Sequence, residues 1–421
     1  MRNGNNNSDG PGVLERRRVH VCLINASRRV FGAEKSLAYL VALTPDVDFS
    51  LLSPGGECEA LFRKHGVERA FQIPIGVLQR RRNPLLLARE LLLLVKGNLY
   101  VYARIRELSP DVIHANGIQS MLFLLLTYLL AGPPIVWHMR DLNRPRIASW
   151  ICCAMASLIL VPSRTCIREF QKVLKKTRYL PNPITPSVGQ DGSSDTDQAC
   201  REGVSRESRF PSDSGGFRIG IVGQIIPRKG HDLLLDALPC VLAKVPGARL
   251  HIIGDSPSGR GSEFIQVLRA RVAQNASLQR RVFWQGYIRN MASVYLNLDL
   301  LVAPSREEAF GRVIMEAMRL GCPVIAARTG GLTEIIQHRH NGLLFIPGSI
   351  SELSECIIEA AADPQLLSDL ARQGRETYAR YEREMRAAVS ALPTFYQECM
   401  TMSRSNKNRE SRTEREPKCC D

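Results

Sequence analysis

Short apolar segments alternate with helical patterns along most of this chain, and this alternation is the strongest constraint on its fold. Strictly alternating strands and helices favour parallel sheets with helices on both faces. The sequence predicts strands over 19–25, 49–53, 111–115, 135–139 and 158–162, and then over 217–222, 249–254, 282–287, 300–303, 323–326 and 343–346. The pattern therefore predicts the α/β class.

A polar interruption divides the alternation into two halves. Residues 187–216 are rich in Ser, Asp, Gly and Arg and contain almost no apolar side chains, a composition typical of a linker or insertion. The length of 421 residues also exceeds that of a single typical domain. We therefore predict two doubly wound, Rossmann-like domains that join near 181–183.

The most informative motif follows the predicted strand over 300–303. A polar loop that contains Glu308 leads into Phe310 and Gly311, and the helix after them carries Glu316. In an open α/β sheet, ligands bind at the carboxyl ends of strands, where helix N-termini offer free N–H groups. Ionised carboxylates accept hydrogen bonds from pairs of hydroxyl groups. The motif therefore points to a sugar nucleotide as the ligand.

Two glutamates separated by seven residues, with Phe310 and Gly311 between them, form a recognisable signature. The arrangement of Glu308 and Glu316 resembles that of the retaining nucleotide-sugar glycosyltransferases of family four, the group 1 transferases. This resemblance implies the GT-B fold, in which two doubly wound Rossmann-like domains face each other across a cleft. It also implies that the first domain binds the acceptor and the second binds the nucleotide-sugar donor.

The resemblance covers about residues 17–185 and 217–400 and gives the expected domain boundaries. The expected parts are a disordered N-terminal tail (1–16), an acceptor-binding domain (17–185), a polar linker (186–216), a donor-binding domain (217–375), a helix that crosses back to the first domain (376–400) and a disordered C-terminal tail (401–421).

Cations that neutralise the donor diphosphate are expected after the first strand of the second domain. Lys229 matches the family's Lys-Gly pair, whereas Gln224 stands where the family commonly has Arg. Arg228 could supply the missing charge from a neighbouring position. In the first domain, Gly32 lies in a Phe-Gly-Ala-Glu segment that resembles the family's Gly-Gly-Ala-Glu loop. Its backbone N–H groups would reach the diphosphate across the cleft.

Polar side chains at two strand ends of the first domain are candidates for the acceptor side. His138 ends the strand over 135–139, where the switch-point rule predicts that it faces the cleft. The resemblance implies that this histidine contacts the transferred sugar, because a neutral imidazole can hydrogen-bond a hydroxyl group. Arg140 and His114 are further candidates for the acceptor pocket, and a strand-end histidine with a satisfied ring is the ordinary alternative.

The resemblance implies transfer with retention at the anomeric carbon. The predicted catalytic residues are His138, Glu308 and Lys229. The predicted donor-binding residues are Gly32, Arg228, Lys229, Glu308, Phe310, Gly311 and Glu316. No two carboxylates can be assigned as acid and nucleophile, and the resemblance implies a front-face displacement, in which the leaving phosphate takes the acceptor proton. Neither a cofactor nor a metal is expected, and the co-substrate is a UDP- or GDP-sugar.

Two other functions compete with glycosyl transfer. A nucleotide-sugar epimerase of the same fold would convert the donor without an acceptor. A non-catalytic sugar-nucleotide-binding subunit is the second alternative, because Gln224 and Phe31 depart from the family pattern. A dinucleotide dehydrogenase is disfavoured, because no Gly-x-Gly-x-x-Gly follows the first strand of either domain.

Charge and composition bear on partners and location. The net charge is +15, and residues 78–106 hold seven cations against one glutamate in a Leu-rich stretch. This stretch predicts contact with an anionic membrane surface, with an ordinary core helix as the alternative.

No nucleic-acid module is recognisable. A glycan or lipid-linked acceptor is expected. With scattered cysteines and no apolar run of about 20 residues, we expect a cytoplasmic protein, peripheral at the inner membrane face.

Overall fold

The computed structural model describes residues 17–75, 83–140, 142, 145–168, 170–184, 216–256 and 260–401. Both predicted tails, except for Thr401, lie outside the described residues. So do residues 185–215, which hold nearly all of the predicted linker, and the arginines at 80–82.

The first domain is built on a seven-stranded parallel sheet. Its strands are β1 (Val19–Ile24), β2 (Val47–Ser53), β3 (Arg69–Gln72), β4 (Val112–Asn116), β5 (Ile135–His138), β6 (Leu158–Val161) and β7 (Thr177–Tyr179), in the order β3-β2-β1-β4-β5-β6-β7. The strand order reverses between β1 and β4, so the crevice for a ligand lies beyond the carboxyl ends of these two strands.

The second domain repeats this design with six parallel strands. They are β8 (Arg218–Val222), β9 (Arg249–Ile253), β10 (Val282–Gly286), β11 (Leu300–Ala303), β12 (Val324–Ala327) and β13 (Leu343–Phe345), in the order β10-β9-β8-β11-β12-β13. Here the reversal lies between β8 and β11. The loops that carry Lys229 and Glu308 follow these two strands, so the topology brings them together.

Helices cover both faces of each sheet. They are α1 (Gly32–Ala42), α2 (Glu57–Lys64), α3 (Pro84–Leu108), α4 (Gly117–Leu122), α5 (Leu125–Leu129), α6 (Arg146–Met155), α7 (Arg164–Arg168), α8 (His231–Lys244), α9 (Arg260–Gln274), α10 (Ala276–Gln279), α11 (Met291–Asn297), α12 (Arg312–Arg319), α13 (Leu332–Ile335), α14 (Ile350–Ala362) and α15 (Pro364–Ser390). The prediction of two doubly wound α/β domains in a GT-B arrangement is confirmed.

Each face of the first sheet packs against its own set of helices. On one face, Trp137 of β5 shares a core with residues of α3, α4 and α6, such as Val101, Met121 and Cys152. On the other face, β-strand residues pack against α1, α2 and the C-terminal helical region, where Met385 lies. Because side chains alternate along a strand, neighbouring residues of β5 belong to different cores.

The long helix α15 joins the two domains. Near its middle, Tyr378 packs in a core of the second domain with Met318. Further along, Met385 and Val389 pack in a core of the first domain together with Leu37. Residues of this one helix thus contribute to a core of each domain.

Candidate active site

A cavity of about 390 Å³ lies where the switch points of the two domains meet. From the first domain it is lined by residues of the β1–α1 connection and by Arg140. From the second domain it is lined by Gln224, Lys229 and Glu308 and by the start of α12. Pockets of this size hold drug-sized ligands, so the cavity is large enough to enclose much of a sugar nucleotide.

Lys229 and Glu308 form an ion pair in this cavity. The Nζ atom of Lys229 lies 2.5 Å from an Oε atom of Glu308, and both side chains are less than one-fifth exposed. Burial alone raises the pKa of Glu308. The nearby Lys229 ammonium and the backbone N–H of Phe310 outweigh this effect, so the pKa lies below its ordinary value. Glu308 is therefore an ionised acceptor, as hydroxyl recognition requires.

Close packing of the backbone fixes the Glu308 loop. The N–H of Gly331 donates to the Glu308 carbonyl oxygen at 2.9 Å. A Cβ atom on Gly330 would stand only 2.0 Å from the same oxygen, and the φ of Gly330 is +48°. Only glycine satisfies both conditions without strain. The Gly330–Gly331 pair therefore supports the Glu308 loop.

Gly311 immediately precedes α12 in a left-handed conformation, and the N-terminus of this helix lies at the cavity. Its φ is +105° and its ψ is +46°. The following residues, Arg312 and Val313, also line the cavity, and the first backbone N–H groups of a helix have no partner within the helix. Phe310 was predicted to bind the donor. Its aromatic ring is buried and lies against Tyr381, with ring centroids 5.5 Å apart.

Both carboxylate oxygens of Glu316 are already engaged. One accepts a hydrogen bond from Nε of Arg312 at 2.7 Å, and the other accepts from the hydroxyl of Tyr295 at 2.9 Å. Burial, followed by the nearby Glu316 carboxylate, raises the pKa of Tyr295 well above its ordinary value, so this phenol remains a donor. The two partners hold the carboxylate in one orientation at the cavity wall.

Arg312 also bridges the two domains. One of its terminal nitrogens donates to Oγ of Ser36 in α1 at 2.7 Å and to the carbonyl oxygen of Pro183 at 3.0 Å. A Cβ atom on Gly32 would lie 3.3 Å from the Arg312 side chain. Gly32, which was predicted to reach the donor, thus lies against the arginine that positions Glu316.

The start of α1 supplies both a helix cap and a cation. A carboxylate oxygen of Glu34 accepts a hydrogen bond from the Phe31 N–H at 3.0 Å, which stabilises the helix start as a capping box does. Lys35 lines the cavity. Burial lowers its pKa, an effect that the nearby Glu316 opposes. Lys35 and Glu316 thus line the same cavity and interact electrostatically.

Arg140 lies on the first-domain wall of the cavity and is held from two sides. Its Nε donates to Oδ1 of Asn116 at 2.7 Å, and a terminal nitrogen donates to Oδ1 of Asn182 at 2.5 Å. Asn116 in turn donates to Asn25 at 2.8 Å. The network ties the ends of β1, β4 and β5 to the segment that leaves the first domain, with Arg140 at its cavity end.

The predicted exposure of His138 and His114 to the cleft is wrong in this structure. Both side chains are fully buried. Nδ1 of His138 lies 3.1 Å from Nε2 of His114, whose other ring nitrogen lies 2.7 Å from the hydroxyl of Tyr396. The physical reason is strand alternation, since Trp137 and His138 point to opposite faces. The His138 face is covered by the C-terminal helical region.

The two histidines are neutral in this environment. Burial, followed by the positive charge of Arg140, lowers the pKa of His114 to about 3. The same causes lower the pKa of His138 well below its ordinary value, and His114 adds to the effect. They form a buried hydrogen-bonded chain that supports the ends of β4 and β5. No described contact brings either ring to the cavity.

Acid should destabilise the protein through His231, which follows Gly230 next to the site. This ring is buried, and neither of its nitrogens has a hydrogen-bond partner among the described residues. Burial, followed by Lys229, lowers its pKa to about 4. Below pH 6.5 the unfolded chain binds this proton first, so the contribution of His231 to stability falls by about 1.4 kcal/mol per pH unit until about pH 4. Above pH 6.5 the ring contributes no pH dependence.

The measurement is urea unfolding of the parent and of His231→Leu at several pH values between 7 and 4. The variant should lose about 1.4 kcal/mol less stability per pH unit over that window. His340→Leu, at an exposed position, is the control and should follow the parent. Parallel curves for the parent and His231→Leu would contradict the prediction.

Side chains that could hold a metal do not cluster in the described part of the chain. No group of three or more His, Cys, Asp or Glu residues with suitable geometry is found there. Nor does any described helix have the length and hydropathy needed to cross a bilayer.

Comparison with known proteins agrees with this architecture. The family model described as Glycosyl transferases group 1 matches residues 206–377, and the model Glycosyltransferase Family 4 matches residues 32–188. In fold, the chain is similar to the Anabaena protein Alr3699/HepE, solved with UDP-glucose, with a TM-score of 0.69 and 22% identity over 92% of this chain and 99% of that one. The sucrose-phosphate synthase of Thermosynechococcus elongatus gives a TM-score of 0.68 and 19% identity, over 91% of this chain and 100% of the synthase.

Relatives in sequence match a shorter stretch. An uncharacterised glycosyltransferase of Methanocaldococcus jannaschii is 32% identical over 54% of this chain and 59% of its own length. A D-inositol 3-phosphate glycosyltransferase of Segniliparus rotundus is 34% identical over 40% of this chain and 37% of its own length. The chain thus matches less than two thirds of the length of these relatives.

Fold and site together define the GT-B architecture, with a cavity at the facing switch points of two Rossmann-like domains. The two family models between them match both domains. The chain is therefore similar to the family-four, group 1 glycosyltransferases over both domains.

Proposed function

We propose that this protein moves a hexose from a UDP- or GDP-sugar to an acceptor hydroxyl, with retention at the anomeric carbon. The observation that carries the proposal is the convergence of Lys229, Glu308 and Glu316 on one cavity between the two domains. A cation beside two oriented carboxylates suits a ligand with an anionic diphosphate and several hydroxyl groups. The acceptor is a glycan or a lipid-linked saccharide, and the pathway is the synthesis of a cell-surface glycan or glycolipid.

Each wall of the cavity has its own role in this proposal. Glu316 accepts hydrogen bonds from the ribose hydroxyls, and Glu308 accepts them from the donor sugar. Lys229, with Arg228 beside it, stabilises the diphosphate as it leaves. Arg140 faces the acceptor from the first domain. His138 and His114 contribute only as buried supports of the strand ends that hold Arg140 and Asn116.

The proposed reaction is a front-face displacement. The bond from the anomeric carbon to the phosphate oxygen breaks, and its electron pair leaves with the diphosphate. The acceptor oxygen bonds to the same face of the carbon, and its proton passes to the leaving phosphate oxygen. The pairings of Glu308 with Lys229, and of Glu316 with Arg312 and Tyr295, support this route. They leave neither carboxylate positioned as a nucleophile of the glycosidase type.

Protein cations replace a metal in this proposal. Negative charge develops on the diphosphate as it leaves. A cation that is already held beside it lowers the activation barrier, because no side chain has to move during the reaction. We also propose that the protein works in the cytoplasm, at the inner face of a membrane, without a nucleic-acid partner. The cysteines are scattered along the chain, which is in keeping with a reducing compartment.

The test is incubation with a panel of UDP- and GDP-hexoses, with and without lipid extracts and oligosaccharides as acceptors. Mass spectrometry detects the product, and NMR gives its anomeric configuration. A product with the configuration of the donor, formed at the same rate in the presence of EDTA, is expected. Inversion would contradict the retaining mechanism, and donor conversion without an acceptor would favour the epimerase. Tight binding without turnover would favour a non-catalytic subunit.

A further inference from the structure

The first half of α3 exposes an unusual number of leucines. Leu85 is 81% exposed, and Leu91 and Leu92 are 54% and 53% exposed. The first fully buried residue of this helix is Gly97. The helix therefore projects its N-terminal turns away from the core. Soluble monomers seldom leave a contiguous apolar patch of this kind uncovered.

Neighbouring helices continue the exposed apolar surface. Leu129 follows on α5, at 67% exposed, and Ile147 and Trp150 follow on α6, at 76% and 72%. The helices α3, α4 and α6 pack on the same face of the first sheet, because their inner residues share one core. Asn98 of α3 also bonds to the backbone of α4 and α5, donating to the Leu122 carbonyl oxygen at 3.1 Å.

We call the outer side of these helices the docking surface. It comprises Leu85, Leu91, Leu92, Leu129, Ile147 and Trp150.

Cations are interleaved with the leucines. Leu85, Arg89, Leu92 and Lys96 follow one another at spacings of four, three and four residues, which places them in one stripe along the helix. Both cations are exposed, and Glu90 is the only acidic residue of α3 before Glu107. Apolar side chains flanked by cations match a bilayer interface, where the leucines enter the acyl region and the cations meet anionic headgroups.

We propose that the docking surface binds an anionic lipid bilayer, with α3 lying in the plane of the interface. The second half of α3 is packed on the core through Gly97, Val101 and Ile105, so the helix rests on the bilayer rather than threading it. The surface extends beyond the stretch 78–106 that the sequence indicates, because it includes α5 and α6.

In the sequence, the α6 part of the docking surface begins shortly after a residue that lines the cavity. Arg140 lines the cavity, and Arg146 begins α6. A bilayer under α6 would therefore bring membrane-embedded acceptors to the Arg140 side of the cavity. This consequence rests on the proposed function, whereas the docking itself does not.

The chain carries its own reporter for this contact. Of its three tryptophans, Trp137 is fully buried, and Trp284 is half-buried beside the Arg269 guanidinium, 5.3 Å from its ring centroid. Only Trp150 is largely exposed. Entry of its indole into a bilayer moves the ring to a less polar environment. The tryptophan fluorescence emission of the full chain should therefore shift to shorter wavelength when vesicles are added.

The experiment uses the full chain with vesicles of pure phosphatidylcholine and with vesicles of equal parts phosphatidylcholine and phosphatidylglycerol. Co-sedimentation should occur with the anionic vesicles and weaken as salt is added. The emission shift should accompany it and vanish in Trp150→Phe. The double variant Leu85→Ser and Leu92→Ser should bind about tenfold or more weakly, because two large apolar side chains no longer enter the bilayer.

A matched control comes from the second domain. Val267 and Ile346 are 51% and 55% exposed, so their double replacement by serine likewise removes two exposed apolar side chains and should leave binding unchanged. Several outcomes would overturn the proposal: equal binding to both vesicle types, binding without a change at Trp150, or no binding at low salt. Concentration-dependent association without lipid, seen by sedimentation velocity and abolished by the leucine variant, would instead assign the surface to a second copy.

Nucleotide-sugar binding, measured by calorimetry on the same samples, separates this proposal from the proposed function. Absence of vesicle binding with intact donor binding would overturn the docking and the proposed membrane location, and would leave the transferase assignment standing. Vesicle binding without donor binding would overturn only the transferase assignment.

Discussion

Replacing Lys229 with alanine is expected to lower kcat about 10²–10³-fold, which is the cost of removing one preorganised group that stabilises developing charge. The Lys229 ammonium lies 2.5 Å from Glu308 and lines the cavity with Arg228. Its removal takes away the cation nearest to the proposed diphosphate and leaves the ionised Glu308 without its partner. Steady-state kinetics with a saturating acceptor measure the effect, with circular dichroism as the check on folding.

Two further variants make this result specific. Lys229→Arg keeps the charge but not the compact ammonium, so it should recover only part of the rate. Lys244→Ala removes a cation from the exposed end of α8 and should behave as the parent. If Lys229→Ala turned over donor at the parental rate, Lys229 would have no part in the departure of the diphosphate.

Most of the architecture could be predicted from the sequence, because the buried strands of parallel sheets are apolar along their whole length. All eleven predicted strands correspond to strands of the structure. The two that were missed, Arg69–Gln72 and Thr177–Tyr179, are the edge strands β3 and β7. Edge strands are less completely buried, and these two carry Arg, Gln and Thr, so hydrophobic pattern alone does not reveal them.

The donor side of the site could be predicted in outline. Lys229, Glu308 and Glu316 do line one cavity, because the motifs that contain them follow the strands on either side of the switch point. The partners of Glu316 were missed. A spacing of four residues between Arg312 and Glu316 on one helix was an available signal. Tyr295 comes from another helix, and its contact arises only from tertiary packing.

The first-domain side was predicted less well, for a geometric reason. The end of a strand can be inferred from the sequence, but the face to which its last side chain points depends on which helices pack there. His138 and His114 point to the face covered by the C-terminal helical region, where His114 meets Tyr396. That contact spans 282 residues of the chain, and no local pattern could indicate it.

Glu316→Ala should remove the preference of the protein for ribose. If the carboxylate binds the ribose hydroxyls, wild-type protein should bind UDP or GDP about 10²-fold or more tightly than the corresponding 2′,3′-dideoxynucleotide, because hydrogen bonds to a charged group contribute about 1.5–3 kcal/mol each. The variant should bind both ligands with the affinity that the parent has for the dideoxy form. Calorimetry of two proteins against two ligands gives a cycle that isolates this interaction.

Variants of the residues that contact Glu316 distinguish direct binding of the ribose by its carboxylate from an effect through the contacts between the two domains. Tyr295→Phe removes one hydrogen bond that orients the carboxylate and should reduce the ribose preference without abolishing it. Arg312→Met breaks the bridge to Ser36 and Pro183 but leaves the carboxylate, so it should weaken both ligands by a similar factor. A ribose preference that survives Glu316→Ala but is lost in Arg312→Met would move the recognition of the hydroxyls from Glu316 to the arginine.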